Sequence, residues 1–135
     1  MWPFRRKTNT SESYSASLKN GWIVRFQYPD TDFDRALEAG KDHAMEYFAG
    51  MMGGLRVRHV EELRRLGFFD LVMARLGINV DVGSWEEIKA KDLTTLVNII
   101  DEIIPEVGGM HNLLEDLREM AKGAQSEGCS LGFML

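Results

Sequence analysis

Apolar residues recur along the chain with two different rhythms, and each rhythm predicts its own kind of element. Residues 22–28 read Trp-Ile-Val-Arg-Phe-Gln-Tyr between Asn20-Gly21 and Pro29-Asp30. This β-branched and aromatic run predicts a strand. Period-two alternation puts Trp22, Val24, Phe26 and Tyr28 on one face, and Ile23, Arg25 and Gln27 on the other. A single strand leaves its ladder groups unpaired. It is therefore expected to pair with residues 13–18 through a turn at Lys19-Asn20-Gly21, or with another subunit.

From residue 31 onward the spacing changes to three and four. Thr31 and Asp34 have capping-box spacing, and Asp30 and Asp32 add favourable charge at a helix start. Phe33, Leu37, Gly40, Ala44, Tyr47, Phe48 and Met51 then share one broad helical face, with Gly50 and Gly53-Gly54 predicting its end in a turn. Val60, Leu63 and Leu66 predict a second helix. Phe69, Val72, Met73 and Leu76 predict either a third or a continuation through Gly67. Ser84 and Glu87 form another capping-box pair, after which Trp85, Ile88, Leu96, Ile99, Ile100 and Ile103 line one side; Asp92-Leu93 is the alternative start. Pro105 ends that element because it has no N–H to donate. Met110, Leu113, Leu114, Leu117, Met120 and Ala121 predict a last helix, closed by Gly123.

The expected fold is mainly α with a small β element (α+β), four or five amphipathic helices following one short strand or hairpin. Residues 20–122 are expected to form a single mainly helical domain. Residues 1–19 read as a flexible or partner-docked N-terminal arm, and 123–135 as a C-terminal tail, extended or folded back. A chain of 135 residues is long enough for one core without metals or disulfides. Cys129 is the single cysteine, so no internal disulfide framework exists. The expected location is the cytoplasm, or a virion assembled there. No run approaches the roughly 18 apolar residues of a membrane span, and Arg5-Arg6-Lys7 is not followed by the apolar stretch of a signal peptide.

Charge is uneven. Arg5, Arg6, Lys7, Lys19 and Arg25 against Glu12 give residues 1–28 a local excess of +4, within a whole-chain net charge of −5. Residues 86–122 hold nine acids and four bases, a surface that repels phosphate backbones. Candidate chemistry is thin. His43, His59 and His111 lack the clustered partners of a zinc site, Gly50-Met51-Met52-Gly53-Gly54 lacks the lysine of a phosphate loop, and residues 78–83 have too few oxygen ligands for calcium. Adjacent acids such as Asp101-Glu102 and Glu115-Asp116 read as solvated helix faces. No catalytic residue, cofactor or metal is expected, and the chain is read as non-enzymatic.

The remaining signal lies at the two apolar ends. Trp2 and Phe4 suit a partner's pocket, with Arg5, Arg6 and Lys7 on an acidic rim. Leu131, Phe133, Met134 and Leu135 are the matching group at the other end, either a second docking arm or a fold-back over the chain's own core. The expected function is a protein-interaction or assembly component using terminal arms, such as a small phage or virion structural subunit, connector or assembly chaperone. The expected partner is another protein or further copies in a homo-oligomer. The alternative is a small nucleic-acid-binding regulator using the basic helical region 56–75, with Arg64 and Arg65 on phosphates.

Overall fold

The computed structural model describes residues 21–29, 31–40, 43–80, 82–83 and 85–135. Among them are five α-helices and one four-stranded sheet, the mainly α, α+β composition expected from the pattern. Strand β1, Gly21–Phe26, is the predicted one. Both its edges are occupied within the chain, by β2 (Phe48–Leu55) and β4 (Leu131–Met134), each antiparallel. The expected pairing of β1 with residues 13–18 or with another subunit is corrected accordingly; residues 13–18 themselves lie outside the described residues. Strand β3, Trp85–Ile88, pairs with β4 and completes the order β2-β1-β4-β3.

The long helix predicted from residue 31 to 51 is short. Helix α1 spans Phe33–Glu38, and its N-cap is Asp32, whose carboxylate accepts from the Arg35 N–H at 2.8 Å. After the 3-10 turn Ala44–Tyr47, the face assigned to a helix becomes extended, and the expected glycine turn at 50–54 is the body of β2. Hydrogen bonding to β1 outweighs the local three-to-four spacing there. The Ser84/Glu87 helix start is likewise corrected: residues 85–88 pair with β4, and the helix begins at the alternative point, Leu93.

The other helices follow their periodicity. Helices α2 (Val57–Arg65) and α3 (Phe68–Leu76) are separated at Gly67, whose φ of 88° breaks the helical path. Helix α4, Leu93–Ile103, buries Leu93, Leu96, Ile99 and Ile100 and ends before Pro105. Helix α5, Gly109–Glu127, runs through Gly123 and is closed by Gly128 instead. Gly123 leaves room for a side chain from the sheet: a Cβ at this position lies 3.1 Å from Nη1 of Arg25.

The alternation of β1 divides the core. Ile23, Leu131 and Phe133 join the buried side chains of α2–α5. Val24, Phe26, Met134 and Trp85 form a second cluster on the opposite face, closed by Phe33 of α1. The C-terminal apolar group is thus an inner strand. Leu131, Phe133, Met134 and Leu135 are at most 5% exposed, so the surface they were expected to offer a partner is filled by the same chain.

Candidate functional site

Of the two outer strands, β2 is the longer and the less protected. Its sequence, Phe-Ala-Gly-Met-Met-Gly-Gly-Leu, carries no charge, whereas β3 has four residues and includes Glu86 and Glu87. Among the described residues no strand pairs with the outer side of β2. Its register against β1 shifts between Gly21 and Ile23 and again between Arg25 and Phe26, which leaves residues 50–52 as the regular stretch. Gly53 is a packing position: a Cβ there lies 2.5 Å from the Trp22 ring.

Alongside β2 runs an open cleft of about 440 Å³, walled by Met51, Met52, His59, Leu113 and Asp116. His59 also borders a second cleft, of about 410 Å³, with Arg58, Glu62 and Met110. The first turn of α2 fixes this imidazole. Its Nδ1 accepts the Arg56 backbone N–H at 2.9 Å, so the proton of the neutral ring sits on Nε2. Burial lowers its pKa from the ordinary histidine value, and the charges of Arg58 and Arg56 push in the same direction. The imidazole thus stands between two clefts that mix methionine with charged side chains, Asp116 in the first and Arg58 and Glu62 in the second. No strand among the described residues takes up the outer N–H and C=O groups of the neighbouring edge, and such groups suit an extended chain.

The residues singled out in sequence are distributed elsewhere. Trp2, Phe4, Arg5, Arg6 and Lys7 lie outside the described residues. Leu131, Phe133, Met134 and Leu135 lie in the core. Arg64 and Arg65 are both exposed on α2, paired with Glu61 and Glu62, and the Arg64 guanidinium also lies 5.7 Å from the Phe69 ring centre. His43 meets Glu46 at 3.0 Å, while His111 donates through Nδ1 to the Pro105 carbonyl at 2.7 Å. Among the described residues no three His, Cys, Asp or Glu side chains come together as a metal site. Cys129 is buried, which raises its thiol pKa despite the opposing charge of Arg25.

Sequence reasoning missed β2 because Gly50, Gly53 and Gly54 have the composition of a turn. The available signal was the uncharged run from Phe48 to Leu55, long enough for a strand. Among the described residues, no helix is long and apolar enough to cross a membrane. Comparison with known proteins found no matching family model, no matching curated protein and no matching solved structure.

Proposed function

We propose that this protein is a non-enzymatic interaction or assembly component whose contact element is the outer edge of β2. The observation that carries this reading is the uncharged eight-residue edge, open among the described residues and flanked by a methionine-lined cleft. Globular proteins usually blunt such an edge with charge, proline, β-bulges or a covering element, because its backbone groups template another strand; β2 has register shifts towards both ends, and the regular stretch between them, 50–52, carries no charge. Main-chain hydrogen bonds supply affinity in strand addition, and adjacent pockets read alternate side chains. A small virion subunit, a connector and an assembly chaperone are all settings in which such an edge acts.

Hydrogen exchange provides the test. Peptides selected by display against the intact chain are expected to be extended and apolar, and to slow amide exchange along residues 50–55. Selected peptides that bind without protecting those amides overturn the reading.

A further inference from the structure

We infer that the segment docking on the β2 edge carries a lysine or arginine, whose aliphatic stem lies in the cleft beside β2 and whose charge meets Asp116. This inference deepens the proposed function and rests on it.

The cleft walls bring together the strand, the first turn of α2 and one side of α5, where Leu113 and Asp116 stand one turn apart. Met52 and Leu113 both pack, partly buried, against the helical core, so the cleft lies on the helical side of β2. Gly53 and Gly54 contribute backbone without side chains. A strand added to an edge sends every second side chain to one face of the sheet. On the helical face such a side chain meets methionine, leucine and a carboxylate together. Lysine and arginine match that combination, because they lay a methylene stem on apolar surface and keep the charge at the tip.

The sign of the charge follows from the same walls. Asp116 is exposed, and its side chain makes no hydrogen bond or ion pair among the described residues. It is the only charged group lining this cleft among those residues, because burial and the neighbouring arginines hold His59 below its ordinary pKa. With Nδ1 engaged by the Arg56 N–H, the imidazole offers its Nε2–H to a backbone carbonyl of the incoming segment. The second cleft beside His59 lacks this preference: Arg58 stands there, and Glu62 is already paired with Arg65.

Display selection from a random library of short peptides tests the inference, run in parallel on the intact wild type, Asp116→Asn and Asp116→Lys. Asp116 is exposed, so both changes leave the core untouched. Peptides selected on the wild type are expected to be apolar with one lysine or arginine at a fixed place, and those selected on Asp116→Lys to carry aspartate or glutamate there. Norleucine in place of the selected cation keeps an apolar stem and loses the charge. It is expected to weaken wild-type binding by about threefold to fivefold and to leave binding to Asp116→Asn unchanged. Peptides that protect residues 50–55 from exchange yet show no preferred cation, or whose norleucine forms lose equal affinity for the wild type and Asp116→Asn, overturn this inference and leave the docking edge standing. Peptides that bind without protecting those amides, or a library that yields no binder, overturn the docking edge and this inference with it.

Discussion

Gly132 is the position where one added methyl group tests the packing of the whole sheet. It lies in the inner strand β4, opposite Val24 on one side and Glu87 on the other. A Cβ there would stand 2.4 Å from Cζ and 2.8 Å from Cε2 of Phe33, and 3.0 Å from Cε2 of Phe26. The Phe33 ring cannot simply swing away. It is 1% exposed, with Phe26 packed edge-on at 5.2 Å and Trp85 at 5.1 Å between ring centres. Overfilling a close-packed core of this kind costs about 1–3 kcal/mol. Removing glycine's freedom in the unfolded chain returns about 0.4–1 kcal/mol. Because two rings are obstructed at once, we expect Gly132→Ala to destabilise by about 2 kcal/mol. Urea unfolding at fixed protein concentration measures this, with an unchanged m value showing that the transition itself is the same. Gly50→Ala is the control, since its methyl group enters open space. Shrinking the obstructing ring with Phe33→Leu should relieve the clash, so the double variant should be more stable than the sum of the single effects by about 1 kcal/mol. A Gly132→Ala protein as stable as wild type, or effects that add within about 0.5 kcal/mol, would refute this account of the second core.

Deleting residues 131–135 should abolish cooperative unfolding by circular dichroism, because the four large side chains removed contribute about 1.5–3 kcal/mol each against a usual total of about 5–15 kcal/mol. A truncated chain that still unfolds cooperatively would show that β4 is dispensable. His59 should titrate by NMR below the ordinary histidine value, with burial as the main cause. Its folded pKa is lowered, so its contribution is present above the unfolded value of about 6.5 and is lost as pH falls through that value toward the folded pKa. His59→Gln should remove that part of the acid destabilisation. Cys129 should react with thiol reagents only as fast as the chain opens, since its thiol is 1% exposed and its pKa is raised by burial. Rapid labelling of the native protein would contradict this placement.

The local parts of the fold were legible in the sequence. Helices α2 to α5 announce themselves through three-to-four spacing, Gly67 and Pro105 mark breaks, and the alternation of β1 gives the two faces that the cores adopt. Each of these signals is carried within a dozen residues, where the backbone's own hydrogen bonds and periodicity decide the outcome. Three strands were not legible, for reasons visible in particular residues. The glycines of β2 have turn composition, Ser84 and Glu87 have helix-cap spacing, and Leu131, Gly132, Phe133 and Met134 follow a helix as a short apolar tail. The outer edge of β2, open among the described residues, was hidden for the same reason, because it exists only once β1 has taken the other side.

By itself, then, the sequence determined the helical layer, the two-faced first strand, and the choice between an arm and a fold-back for its C-terminal apolar group. Only the tertiary structure made that choice. A strand's hydrogen bonds go to residues far away in the chain, so β4 became the middle of the sheet through its pairing with β1 and β3. The methyl-free surface of Gly132, filled by the Phe33 ring, is what lets the second core close over it.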